Sequence, residues 1–257
     1  MSDGVVTFTL DEFHHGWSTV NSEVIEEGFV SIFVNGEELA TVMCSPREQD
    51  RFALGFLCNE GIISSLDDVR AVHVCPSGAC VDVWLTRSDF VRPNRLILTS
   101  GCGGGVTFDD LTKAVEPLES AITIAPQKLA DLLIEMQQRA TLYARSRGVH
   151  TAALSDGERI IVLAEDVGRH NTIDKVRGAC LLDNQDCRGL ALLCTGRLSS
   201  DLLHKAARME CPLIASRTSP TSLSVELAQK WNITLVGYVR GETLNVYTHP
   251  GRIRAAQ

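Results

Sequence analysis

At 257 residues, with 44% apolar and 22% charged side chains, the chain has the make-up of a globular protein with room for one large domain or two modest ones. A formal net charge of −8 excludes a general nucleic-acid binder, which needs a basic surface, while leaving room for a local basic pocket around one anionic ligand. No apolar run reaches the roughly 20 residues that span a bilayer, and the start, MSDGVVTFTLDEF, lacks a basic head followed by an apolar stretch, so a cytoplasmic protein without membrane insertion is expected.

In chain order, residues 1–25 offer little beyond an exposed start. Phe29–Val34, Asn35-Gly36 and Leu39–Met43 then read as a hairpin, because Asn-Gly readily takes the positive φ of a type I′ turn. Ser45-Pro46 reads as the cap and first residue of a helix with Phe52, Leu54, Phe56 and Leu57 on its apolar face and Gly61 as its stop. Val69–Val74 and Val81–Leu85 read as a strand pair around Cys75-Pro-Ser-Gly-Ala-Cys80, a turn that could also be half a zinc site, although no second close pair of ligands completes it. Asp109–Val115 reads as a short helix and Pro117–Pro126 as the connector between an N-terminal part, 1–117, and a C-terminal domain, 118–257. Gln127–Arg147 reads as the longest helix in the chain, with Leu129, Leu132, Leu133, Met136, Ala140 and Tyr143 on one face. Beyond Gly148, short apolar strands alternate with helices: strands at 149–154, 159–163, 190–194, 213–215, 233–238 and 244–247, and helices at 169–182, 199–209 and 220–230. That alternation predicts a layered α/β domain with largely parallel pairing, and an α+β character for the smaller part before it.

Nine cysteines, an odd number without a secretion signal, point to reduced thiols, most of them in apolar runs typical of core positions. Cys102 differs. It lies in Thr99-Ser-Gly-Cys-Gly-Gly-Gly-Val-Thr-Phe108, where four glycines argue against any regular element and for a loop presenting a bare thiol, a candidate nucleophile or sulfur carrier.

Two consecutive units share one device, in which an apolar strand enters a small polar loop bearing an arginine and the loop opens a helix. These are Leu190–Cys194 into Thr195-Gly-Arg197-Leu-Ser199, and Pro212–Ala215 into Ser216-Arg217-Thr-Ser-Pro-Thr221. Free helix N–H groups beside hydroxyls and a guanidinium at strand carboxyl ends make a phosphate or pyrophosphate cradle. Tyr238-Val239-Arg240-Gly241-Glu242-Thr243 leaves the last long strand at the same end, either as an anion clamp or as a plain hairpin turn. Glu165-Asp-Val-Gly-Arg-His-Asn171, with Asp174 and Lys175, suits hydrogen bonding to a base or sugar, proton transfer, or equally a capped helix start. His150 reads as a strand histidine, and His204, Lys205 and Arg208 as a solvated basic face. No His-x-Glu followed by Pro-Cys-x-x-Cys is present, so a zinc deaminase would lack its ligands.

Four stretches together, Glu165–Lys175, Thr195–Ser199, Ser216–Thr221 and Gly237–Gly241 with Asn245–Thr248, resemble the FdhD/NarQ family from about Val30 to Thr248. Its members are formate dehydrogenase accessory sulfurtransferases. The resemblance implies a small N-terminal α+β part, a cytidine-deaminase-like C-terminal α/β domain without structural metal, and a cytoplasmic homodimer. It implies transfer of persulfide sulfur from a cysteine desulfurase to the molybdenum cofactor, a bis(molybdopterin guanine dinucleotide), for the formate dehydrogenase catalytic subunit. Cys102 then carries the sulfur, and Tyr238–Thr243 with Arg197 and Arg217 hold the cofactor. The family's loop has Cys-Gly-x-Cys; here Gly105 takes the second cysteine's place, which removes the neighbour that could resolve a persulfide as an internal disulfide. A binding chaperone that delivers the guanine dinucleotide without sulfur chemistry is the alternative.

Overall fold

The computed structural model describes residues 3–93, 97–98, 106–108 and 115–254. The expected loop cysteine, Cys102, its neighbour Gly105 and the expected helix from Asp109 lie outside the described residues, apart from Val115 at that helix's end.

Residues 5–25 form an antiparallel ribbon of β1 (Val5–Phe13) and β2 (Trp17–Ile25), a regular element that the sequence reading passed over. Val6, Phe8 and Leu10 line up with Val24, Ser22 and Val20 on one side, but Phe8 is still 54% exposed, so little apolar burial marks the strands. Arg145 fastens the ribbon to the body through Glu23 at 2.5 Å and Asp3 at 2.7 Å. The hydrogen bond from Arg145 holds the Glu23 carboxyl below its usual range.

The next sheet has the order β4-β3-β6-β5, built from β3 (Gly28–Val34), β4 (Glu37–Cys44), β5 (Val69–Val74) and β6 (Cys80–Leu85). Its first hairpin turns at Asn35 and Gly36, both at positive φ, as Asn-Gly predicts. Helix α1 (Gln49–Asn59) covers one face, and Phe52, Leu54 and Leu57 join Val30, Ile32, Val81 and Val83 in a core without solvent access. Ser45 does not cap this helix: the residue before it is Glu48, in a left-handed conformation, and the Ser45 hydroxyl instead accepts the Val167 N–H at 3.0 Å. The short strands β7 (Ile97–Leu98) and β8 (Val106–Thr107) pair antiparallel on either side of the Cys102 segment.

The expected single helix 127–147 is two, α2 (Pro126–Arg139) and α3 (Thr141–Ser146), broken at Ala140. A carboxylate from elsewhere makes the second start possible. Glu165 accepts the Leu142 N–H at 2.9 Å and the Tyr143 N–H at 2.7 Å, satisfying donors that a continuous helix would have used internally.

The larger sheet has the order β10-β9-β11-β12-β13-β14. Its strands are β9 (His150–Ser155), β10 (Ile160–Asp166), β11 (Ala191–Cys194), β12 (Leu213–Ser216), β13 (Thr234–Arg240) and β14 (Thr243–Val246). Only β11–β12 and β12–β13 are parallel; β9 with β10, β9 with β11 and β13 with β14 are antiparallel, so the sheet is mixed rather than largely parallel. The reason is that the turns at 156–159 and 241–242 are too short for a crossover and force hairpins. Alternation along the strands separates two cores. Leu192, Ile214 and Leu235 face α4 (Arg169–Leu182), α5 (Ser200–Arg208) and α6 (Ser222–Lys230), whereas Leu193, Ala215 and Val236 face α2 through Leu133 and Met136.

Helices α1 and α4 join the two sheets and cross at glycines. A Cβ on Gly55 would sit 1.7 Å from the Asp174 carbonyl oxygen, and one on Gly178 1.8 Å from that of Arg51. Buried ion pairs surround the crossing. Lys175 lies 2.7 Å from Asp166, and Lys205 lies 2.6 Å from Asp174, which also accepts from Asn59. The expected solvated basic face is therefore corrected: Lys205 is buried in this pair and His204 is buried edge-on to Trp231, while Arg208 is exposed. Among the described residues no helix is long and apolar enough to cross a membrane.

Candidate functional site

The carboxyl ends of β11, β12 and β13 open into a cavity of about 620 Å³, within the range that holds nucleotide-sized ligands. Thr195 follows β11, Arg217 and Thr218 follow β12, and Arg240 ends β13. Because β9 runs the other way, its first residues, His150 and Thr151, reach the same rim, and α2 and α3 close it with Gln137, Tyr143 and Arg147. The mixed topology thus brings residues from four strands and two helices to one opening.

Among the described residues, three guanidiniums, Arg147, Arg217 and Arg240, line this cavity, and no carboxylate does. A phosphate-bearing ligand gains charge-assisted hydrogen bonds there without facing like charge. Arg217 donates to the Gln137 side chain, which aims its planar fork along the wall. Arg240 lies 5.9 Å from the centre of the Tyr238 ring. Thr195 is fixed by the neighbouring strand, its hydroxyl accepting the Thr151 N–H at 3.1 Å and lying 3.3 Å from His150 Nδ1. Burial, then the charges of Arg169 and His170, lower the His150 pKa. At neutral pH its ring therefore offers the cavity a hydrogen bond rather than a charge.

The residues expected at the site separate into groups. Arg217 and Arg240 meet in the cavity. Arg197 is exposed and is not among the lining residues, because the loop after β11 turns its side chain away. Val239 is buried in the core against α2, so only its backbone could face a ligand, and Gly241, Glu242 and Thr243 form the exposed turn into β14. Gln137, Tyr143, Arg147 and Thr151 were missed as site residues, whereas Thr195 comes from a loop already read as a phosphate cradle. Arg145-Ser-Arg147-Gly-Val-His150 held the available signal, a basic run entering a strand, but the same residues fit a helix end, where cations are favoured.

The Glu165–Lys175 stretch supports the framework. Asp166 accepts the Gly168 N–H at 2.8 Å, the Asn171 amide at 2.9 Å and the Ser45 N–H at 3.1 Å. His170 lies 2.6 Å from Asp201, which also accepts from Ser199 at the start of α5. Glu60, within electrostatic reach of Lys205 and Asp174, anchors the strand after the Cys102 segment, accepting from the Thr107 hydroxyl at 2.9 Å and the Phe108 N–H at 2.8 Å. Burial raises the Glu60 pKa.

The sequence matches the model of the FdhD/NarQ family over residues 25–254. It is 34% identical over 247 residues to the sulfur carrier protein FdhD of Bacillus subtilis (strain 168), covering 92% of each chain. It is 36% identical over 237 residues to the sulfur carrier protein FdhD of Staphylococcus aureus (strain MRSA252), covering 90% of this chain and 89% of that one. The fold is similar to a crystal structure from Desulfotalea psychrophila assigned as a formate dehydrogenase accessory protein, with a TM-score of 0.81, 29% identity, and coverage of 97% of this chain and 99% of that one. A match over nearly all of the strands, helices and cavity residues described above establishes descent as well as fold: the chain belongs to the FdhD/NarQ family.

Proposed function

We propose that this protein is a sulfur carrier for formate dehydrogenase maturation, with Cys102 as the carrying thiol and the arginine-lined cavity as the seat of a molybdopterin guanine dinucleotide cofactor, which is its substrate. The observation that carries the reading is the convergence of Arg147, Arg217 and Arg240 on one cavity at the strand ends, a site suited to a pyrophosphate. The Cys102 thiolate attacks the outer sulfur of a persulfide on a cysteine desulfurase. The new S–S bond forms at Cys102, the old one breaks, and its electron pair leaves with the desulfurase thiolate. Onward transfer needs an acceptor on the substrate side that attacks the outer sulfur with its own electron pair, the new bond to sulfur forming there as the S–S bond breaks and the Cys102 thiolate leaves with the old pair. The protein acts as a cytoplasmic homodimer and hands the sulfurated cofactor to the formate dehydrogenase catalytic subunit.

Incubation with a desulfurase and cysteine is expected to add about 32 Da per sulfur atom to the peptide carrying Cys102, and Cys102→Ala is expected to abolish both the adduct and formate dehydrogenase activity in complementation. Gly105, standing where the family's loop has a second cysteine, favours a second reading, a chaperone that binds and delivers the cofactor without sulfur chemistry. Full complementation by Cys102→Ala would establish that reading.

Guanosine diphosphate serves as a probe of the cavity. Arg217→Ala is expected to weaken its binding by about ten- to a hundredfold, the loss of hydrogen bonds between charged partners. Arg197→Ala, outside the lining, is expected to leave calorimetric titration unchanged. Equal effects of the two substitutions would move the ligand out of this cavity.

A further inference from the structure

The turn between β5 and β6 carries two cysteines that differ from the six others among the described residues: those six are buried, whereas Cys75 and Cys80 are half-buried and reachable from solvent. Their arrangement is built. The Cys75 N–H donates to the Cys80 carbonyl at 3.0 Å, and the Gly78 N–H closes the turn on the Cys75 carbonyl at 2.8 Å. Gln49, at the start of α1, braces it from outside with a hydrogen bond to the Gly78 carbonyl at 3.3 Å. Cys75 and Cys80 stand one step beyond the Val74–Val81 register pair, and opposite residues of an antiparallel pair have Cα atoms about 4.5–5.5 Å apart, within the span a disulfide bridges.

We propose that Cys75 and Cys80 form a reactive dithiol that takes the S–S bond of small disulfides and persulfides as its substrate, with Cys75 attacking and Cys80 resolving. The geometry assigns the roles. The Cys75 sulfur accepts the Cys80 N–H at 3.0 Å and lies 3.2 Å from the Ser77 hydroxyl. That hydroxyl itself accepts the Ala79 N–H at 3.3 Å, which leaves its proton to point at the sulfur. Hydrogen bonds from the Cys80 thiol, then from Ser77, pull the Cys75 pKa down to about 7, while the same contact raises that of Cys80. The charge therefore rests on Cys75 and the proton on Cys80.

With a disulfide R–S–S–R, the Cys75 thiolate forms a mixed disulfide and expels one R–S⁻. Cys80, giving its proton to solvent, then attacks the Cys75 sulfur and expels the second R–S⁻. Two protein thiols are oxidised as one disulfide is reduced to two thiols. With a persulfide R–S–SH, Cys75 takes the outer sulfur and expels R–S⁻, and attack by Cys80 on the Cys75 sulfur then releases hydrosulfide and leaves the same internal disulfide. Neither sequence depends on Cys102 or on the arginine-lined cavity.

Trypsin tests this directly, because the peptide 71–87 contains Cys75 and Cys80 and no other cysteine. The reduced full chain is exposed without oxygen to oxidised glutathione, or in a second arm to glutathione persulfide, then blocked with N-ethylmaleimide and digested. The unmodified sequence is expected to yield peptide 71–87 internally linked and unalkylated, severalfold faster than the same cysteines react in the urea-unfolded chain. Cys80→Ser is expected to trap glutathione, or in the second arm one extra sulfur, on Cys75. Cys75→Ser is expected to leave Cys80 alkylated and unreacted. Linkage in either arm supports the site and names its substrate. Doubly alkylated peptide from the native sequence in both arms, or equal trapping on Cys75 and Cys80 in the two variants, overturns the proposal.

Discussion

Asp166→Ala is expected to destabilise the protein by about 3–5 kcal/mol, the cost of leaving one partner of a buried ion pair without the other. Neither Asp166 nor Lys175 has solvent access. The ammonium has three acceptors, Asp166 at 2.7 Å, the Ser45 carbonyl at 3.2 Å and the Glu165 carbonyl at 3.4 Å, so the pair is satisfied as it stands. Removing the carboxylate strands the ammonium and frees three donors, the backbone N–H groups of Ser45 and Gly168 and the amide of Asn171. The loss also severs a direct tie between the chain around residue 45 and the larger sheet. Urea unfolding of Asp166→Ala, Lys175→Met and the double variant measures this as a cycle. The double variant is expected to recover part of the loss, because the unpaired charge is gone while the three donors remain unsatisfied. A loss below about 1 kcal/mol for Asp166→Ala would show that water or rearrangement repairs the site.

The second large effect is expected at the crossing of α1 and α4. Gly178→Ala places a methyl 1.8 Å from the Arg51 carbonyl oxygen and 2.6 Å from its carbon. These are backbone atoms, which cannot rotate aside, so the helices must move apart. Helix propensity alone predicts a gain of about 1 kcal/mol for alanine over glycine, so the sign of the result separates the two effects. We expect the clash to win, with a net loss of about 3 kcal/mol and a fall in Tm of roughly 6–12 °C for a protein of this size. Gly55→Ala should behave alike, since its Cβ would meet the Asp174 carbonyl oxygen at 1.7 Å. Gly189→Ala is a control at a half-buried loop position, where nothing lies within 4 Å and only the positive φ opposes the change. A rise in Tm for Gly178→Ala would mean that the helices separate at little cost.

Much of the fold was legible because its signals are local. Asn35-Gly36 announces its hairpin through the φ values those two residues tolerate, and the alternation of apolar strands and helices after residue 190 follows from the two periodicities that bury one face of each element. The loops after β11 and β12 were legible as polar, hydroxyl- and arginine-bearing helix starts, and Thr195, Arg217 and Thr218 from them line one cavity. The family was legible for the same reason, in four continuous stretches. The β1–β2 ribbon was not, because its apolar residues stay exposed and too few of them alternate cleanly against the polar ones.

Most strands and helices, the polar character of the strand-end loops and the family were readable along the chain, since each depends on residues a few positions apart, whereas the β1–β2 ribbon and the break at Ala140 were not. Tertiary structure alone decided which of those residues act together. Arg217 and Arg240 share a cavity with Arg147 and His150 while Arg197 faces away, Glu165 starts a helix that lies before it in the chain, and Asp166 ties the chain near residue 45 to the larger sheet. Each of these depends on which way a strand runs or how closely two helices approach. Strand direction and helix approach follow from sheet pairing and glycine contacts between segments distant in sequence, so no window along the chain contains the information.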